Sequence, residues 1–346
     1  MKPLMIITLG WFYLMPLLLG MGTLVAAPEP GRTYHLLVID SQSGAPYGDI
    51  REAMLEQLFQ SGYRLGENLR LSAHTIGNEL SSGTELVKAA MESPPDVIFA
   101  GGTVATIAAR NVLFEQQQPV VFAGTTDPVG IGVIDAFDQP PKANFTGVSY
   151  PVPVEARFRF IRHLLPQAKR IGLIYADMPQ SRSYNRWIRE LIDREELFRD
   201  MQVVFTPVTL ATGNQGDIQM AEQAAPLVRA LDKEVDLFIS PNDQFGAREE
   251  FARLIDTESD KPLIGLVRDD VMAGWGALAT VYPLHDNIGV LAARMVQDIF
   301  EGKPVQEITP RRPSRFGYAV NLGRAQGLGV KVPVGILQLA GKNILK

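Results

Sequence analysis

Polar side chains able to hold a small molecule recur in this chain directly behind short apolar runs. Asp40 ends HLLVID (35–40) and Ser41 and Gln42 follow it, Gly102 and Thr103 follow DVIFAG (96–101), and Thr125, Thr126 and Asp127 follow PVVFAG within PVVFAGTTDPVGIGV (119–133). Further along, Ser181, Ser183 and Tyr184 come after RIGLIYA (170–176), and Asn242 and Asp243 come after VDLFIS (235–240). Glycine lets a backbone approach a ligand closely, and a helix start with free amides and hydroxyls suits a carboxylate or phosphate. Asp127 or Asp243 would suit an ammonium group or sugar hydroxyls. The same residue types are also the commonest helix caps and turn formers, so each has a plain structural reading beside the ligand-binding one.

Signatures of catalysis are sparse. There is no G-x-S-x-G elbow, no G-x-x-x-x-G-K-[ST] phosphate loop and no H-E-x-x-H metal site, and GIG at 130–132 falls short of a dinucleotide fingerprint. His35, His74, His163 and His285 stand singly and read as structural or surface residues. No metal and no cofactor is expected, and the chain is not read as an enzyme. A catalytic use of the same residues would have to employ Asp127 and Asp243 as acid and base.

The elements that must position these residues alternate. Strands are expected at 35–40, 69–76, 96–102 and 119–125, with helical patterns such as REAMLEQLFQSG and GTELVKAAMES between them. The pattern then restarts, with strands at 170–176, 201–208, 235–243 and 261–267 and helices at 182–199, 218–231 and 244–257. An extended piece from Asn144 to Pro153 reads as a hinge. The tail holds GALATVY, a long helix, then RFGYAVN. If that helix packs on the first half and that last strand on the second, the chain crosses between halves three times. The fold class expected is α/β, with two doubly wound parallel-sheet lobes joined by a three-crossover hinge. Ligands of open parallel sheets sit at the carboxyl ends of the strands, so two facing edges would enclose a cleft. Tyr47, Tyr184 and Phe245 face either that cleft or solvent on this reading, and Phe122 belongs to the core.

At 346 residues the chain exceeds a usual single core, which fits two lobes. A formal charge of −5 argues against a nucleic-acid partner. Lys2, the apolar run from Pro3 to Val25 and the small residues before Pro28 predict a signal peptide over 1–27 cut near Ala27, the alternative being a retained membrane anchor. With no cysteine in the sequence, a lipid-modified cysteine and a disulfide are both excluded. A periplasmic, secreted protein that is not a lipoprotein is expected.

The runs DVIFAGGTVATIAARN, PVVFAGTTDPVGIGVI, NFTGVS and FIRHLLPQAKRIGLIYAD resemble the substrate-binding proteins of ABC transporters, in the family that includes tryptophan and tyrosine receptors. VDLFISPNDQ, GALATVY, FEGKPV and YAVNLGRAQGLGVKVP agree in order, so the resemblance covers nearly the whole chain after the leader. It implies the type I periplasmic binding protein fold, with one lobe at 33–147 plus about 282–314 and the other at 148–281 plus about 315–346. By position it implies ligand contacts at Ser41, Gln42, Gly102, Thr103, Thr125, Asp127, Ser181, Ser183, Asn242 and Asp243, to which Tyr184 is added from the residue pattern. Pro179 and Gln180, and Gln244 and Phe245, depart from the family's usual pattern on the ligand wall. The implied partners are a small polar or aromatic, amino-acid-like molecule and a membrane permease. The alternative output is docking on a sensor kinase or another membrane signalling protein.

Overall fold

The computed structural model describes residues 28–213 and 215–346. The expected signal segment, 1–27, lies outside the described residues. The first lobe is built from β1 (Tyr34–Asp40), α1 (Tyr47–Gln60), β2 (Leu69–Thr75), α2 (Leu80–Ala90), β3 (Val97–Gly101), α3 (Thr103–Leu113), β4 (Val120–Thr125) and β5 (Phe145–Ser149). These strands form one parallel sheet in the order β2-β1-β3-β4-β5. Leu36, Val38, Val97, Ile98, Phe99, Val121 and Phe122 are buried, as near-continuous apolar strands covered on both faces must be. Phe122 is a core residue, as expected.

The second lobe begins with α4 (Val154–Leu164) and continues through β6 (Arg170–Ala176), α5 (Pro179–Arg194), β7 (Gln202–Val208), α6 (Gly216–Leu231) and β8 (Leu237–Ile239). It goes on through α7 (Glu249–Glu258), β9 (Leu263–Gly265), α8 (Asp269–Met272) and β10 (Ala279–Pro283). The chain then returns to the first lobe as α9 (His285–Phe300) and ends in the second as β11 (Phe316–Asn321), α10 (Leu322–Gly327), α11 (Val334–Ala340) and β12 (Ile344–Leu345). The second sheet runs β12-β11-β10-β9-β8-β6-β7, and β11 is antiparallel to β10.

Three details differ from the sequence reading. The stretch read as an extended hinge contains β5, which pairs with β4, so the first crossover is only Tyr150 to Pro153. The helix expected at 182–199 starts at Pro179, where proline's missing N–H costs nothing, and stops at Arg194 before one 3-10 turn, Glu196–Phe198. Helix 244–257 is likewise split, into a 3-10 turn at Phe245–Ala247 and α7.

The tail helix packs on the first lobe. Ile288, Ala292, Ala293, Val296 and Phe300 of α9 share a core with Ile50, Met54 and Leu58 of α1, where Phe300 meets the rings of Tyr34 and Tyr63 at 4.7 and 5.2 Å. Each such large side chain contributes roughly 1.5–3 kcal/mol on burial, which fixes α9 to the first lobe although β10 belongs to the second. The third crossover lies beside the first, since Ser149 N–H donates to Arg311 O (3.0 Å) and Arg311 N–H to Gly147 O (2.8 Å). The α1–α9 crossing has room for glycine alone at 289: an added Cβ would lie 2.4 Å from Ile50 O and 2.9 Å from Met54 N. Both are backbone atoms that cannot rotate away. Gly289→Ala is therefore expected to destabilise the protein by about 1–3 kcal/mol despite alanine's better helix propensity, read as a lower urea midpoint.

Candidate functional site

The carboxyl edges of the two sheets face one another. Between them lies a space lined by Pro46, Tyr47, Thr103, Gly124, Thr126 and Tyr150 from the first lobe and its crossover, and by Gln180, Asn242, Asp243, Gln244 and Ala247 from the second. About 350 Å³ is free of atoms, but a water's centre can reach only about 20 Å³ of it. That is room for one or two waters, so a ligand the size of an amino acid requires the lobes to separate.

The lobes are drawn together by side chains at the rim. Asn242 Nδ2 donates to Thr126 Oγ1 at 3.1 Å, and Arg186 pairs with Asp127 at 3.1 Å. Arg248 reaches from the second lobe to the β1–α1 loop, donating to Ser43 O (2.6 Å) and Ala45 O (3.0 Å). Its guanidinium also pairs with Asp217 at 3.3 Å, and Asp217 accepts from Gln244 Nε2 at 2.6 Å. The loop that Arg248 grips leads straight into Pro46 and Tyr47 of the cavity wall.

Of the residues singled out in the sequence, Thr103, Asn242 and Asp243 line this space. The others sit just behind it or to one side. Ser41 Oγ accepts from Ala105 N–H (3.0 Å), Thr125 Oγ1 meets Thr106 Oγ1 (2.7 Å), and Gln42 Oε1 accepts from Ser43 N–H (2.9 Å). Ser181 Oγ accepts from Met178 N–H at the start of α5, and Ser183 is half-buried on that helix. Tyr184 is buried among the second-lobe core with its hydroxyl donated to Val152 O (3.2 Å). Asp127 accepts from Gly130 N–H (2.8 Å) besides pairing with Arg186, and it lines a separate groove beside the first crossover. Gly102 has φ 91°, and a Cβ there would come within 2.4 Å of the Tyr47 ring. The glycine thus lets Tyr47 lie over the start of α3.

Several wall residues carried no clear signal in the sequence. Tyr150 sits in the crossover, and its hydroxyl faces His285 Nε2 (3.4 Å), whose Nδ1 is 2.9 Å from Asp49 Oδ2. Gln180 and Gln244 stood out there only as departures from the family pattern. Phe245, by contrast, is fully buried in the second-lobe core.

Burial dominates the electrostatics. Tyr47 is pushed up to about 12 by burial, opposed by Arg248 and assisted by Asp40, Asp243 and Asp217. Asp40 is raised to about 7 by burial, against the pull of Arg51. Asp243 and Asp270 are also raised to about 7 by burial, although Asp243 accepts from Ala176 and Gly246 N–H and Asp270 from Leu266 and Val267 N–H.

A matching model for the ABC transporter substrate binding protein family spans residues 38–344. Two α/β lobes around a cleft, with that match, define a substrate-binding protein of the type I periplasmic binding protein fold. The chain belongs to the ABC transporter substrate-binding protein family. It is 21% identical over 259 residues to a tyrosine-binding protein of Clostridioides difficile, covering 75% of this chain and 70% of that one. Among solved structures it is similar to an ABC domain from Streptococcus pneumonia in complex with L-Trp (TM-score 0.78, 20% identity, 91% of this chain, 100% of that one). It is also similar to a ligand-free, open substrate-binding protein with adhesive properties from Clostridium difficile (TM-score 0.65, 18% identity, 90% and 98% covered).

The buried acids set a pH dependence. Their folded values lie above the 3.8 of the free side chain, so the folded state holds protons that the unfolded state has lost. Their stabilising contribution is complete below about pH 4 and is lost as pH rises to about 7. Stability against urea is expected to be greater at pH 5 than at pH 8. Asp40→Asn should flatten that slope by up to about 1.4 kcal/mol per pH unit across the window.

Proposed function

We propose that this protein is an extracytoplasmic receptor of an ABC importer, which closes two lobes on a small polar or aromatic, amino-acid-like molecule and presents it to a membrane permease. The observation that carries the reading is the interlobe space at the carboxyl edges of both sheets, lined from both lobes and spanned by Arg248, Asn242 and Arg186. A ligand touching both walls would favour closure by the difference in its affinity for the closed and open forms. The L-Trp complex and the tyrosine-binding relative support an amino-acid-like ligand. The proposed contacts are Tyr47, Thr103, Thr126, Tyr150, Gln180, Asn242 and Gln244. Ser41, Gly102, Thr125 and Ser181 hold the strand ends on which those contacts stand, and Asp127 ties the lobes. Export on a cleaved leader at 1–27 completes the proposal.

Thermal denaturation against amino acids, nucleosides and sugars tests it. A ligand of the native state at a hundred times its Kd adds about 2.7 kcal/mol and raises the midpoint, and no shift with any compound would defeat the receptor reading. Scattering in solution reads how far apart the lobes stand. Arg248→Ala, which removes both hydrogen bonds to the β1–α1 loop, should enlarge the unliganded particle and weaken ligand binding on the order of tenfold.

A further inference from the structure

Three carboxamides on the second-lobe wall share an unusual state. Gln180, Asn242 and Gln244 are 5%, 2% and 4% exposed, all three line the interlobe cavity, and the side-chain oxygen of each has no hydrogen-bond partner. Each nitrogen already donates one of its two N–H groups within the protein. Gln244 Nε2 donates to Asp217 Oδ1, Asn242 Nδ2 to Thr126 Oγ1 and Gln180 Nε2 to Met178 Sδ at 3.4 Å. A carboxylate and a thioether can only accept, so the orientations of Gln244 and Gln180 are fixed with nitrogen outward and oxygen left over. Buried acceptors of this kind are seldom left without partners, and three on one small cavity mark what the occupant must supply.

We propose that Gln180, Asn242 and Gln244 form an ammonium-binding subsite, in which three neutral oxygens receive the three N–H donors of a ligand's protonated primary amine. The proposal rests on the receptor reading above and deepens it to the ligand group recognised and the residues that recognise it. An ammonium group carries three donors and no acceptor, which matches three oxygens without partners, whereas a sugar hydroxyl brings only one donor. Tyr47 and Tyr150 stand on the opposite wall. Asp217, paired with Arg248, holds Gln244 in place from behind. Arg248 is already committed to Ser43, Ala45 and Asp217, and no arginine or lysine lines the cavity. The second-lobe wall therefore offers an amine three acceptors without partners and offers a carboxylate no cation.

The test separates the two ends of one scaffold. Isothermal titration calorimetry of the purified protein at pH 7 would compare L-tryptophan, tryptamine, indole-3-propionate and myo-inositol, with unliganded melting curves as the folding control. Tryptophan and tryptamine are expected to bind and the deaminated acid and inositol not to. Gln180→Met, which keeps the side chain's length and removes its oxygen, should weaken both amines on the order of tenfold or more with the melting curve unchanged. Binding of indole-3-propionate as tight as that of tryptophan, or unaltered amine affinity in Gln180→Met, would overturn the subsite and leave the receptor reading standing. Binding of inositol alone would do the same. If none of the four binds and the wider panel of amino acids, nucleosides and sugars gives no thermal shift either, the receptor reading falls and the subsite with it.

Discussion

The ends of buried parallel strands leave backbone amides and carbonyls where water cannot reach them, and satisfying those groups is the constraint on which the rest of this structure depends. An unpaired buried backbone group costs about as much as a lost hydrogen bond, so the residue after each strand is recruited to the task. Asp243 accepts from the amides of Ala176 and Gly246, and Asp270 from those of Leu266 and Val267. Arg157, only 1% exposed, donates from one nitrogen to the carbonyls of Ser240, Ile264 and Gly265, tying together the ends of β8 and β9. Ser41 and Ser181 do equivalent work at the starts of α3 and α5.

That constraint divides the polar residues of the cleft edge in two. Short side chains close to the backbone are consumed by it: Ser41, Thr125, Ser181 and Asp243 all have their polar atoms engaged within the protein. The carboxamides Gln180, Asn242 and Gln244 each retain an oxygen without a partner. The cavity wall is thus a second layer built on a first layer of caps. Because the first layer is rigid and buried, the second can be held in one orientation without water.

A third set of residues, placed at the rim, joins the two lobes. Arg248 joins Asp217 and Gln244 on one side to the Ser43–Ala45 loop on the other, so a cavity contact and a lobe contact belong to one hydrogen-bonded chain. Arg186 and Asp127 span the lobes from another position, but Arg186 is half-exposed. Exposed pairs are weak, and this one can break at little cost when the lobes part. On the crossover side, Tyr150, His285 and Asp49 connect the cavity wall to α1 and the start of α9.

By itself the sequence determined the alternation of strand and helix, the restart at residue 170 and the strand ends where the cleft lies, because period, turn residues and caps are local properties of the chain. The strand at Phe145–Ser149 stayed hidden, since FTGVS is short and its strand character comes from pairing with β4. Which polar residue caps a strand and which faces the cavity was decided only by tertiary structure. Asp127 and Asp243 look alike in sequence, each an acid behind a strand, yet one pairs across the rim with Arg186 and the other is turned onto the amides of its own lobe. Tyr150 gave no local signal, because a tyrosine beside a proline becomes a wall only when two lobes close on it. The cleft is a relation between two sheets, and its lining is set by how those sheets face each other.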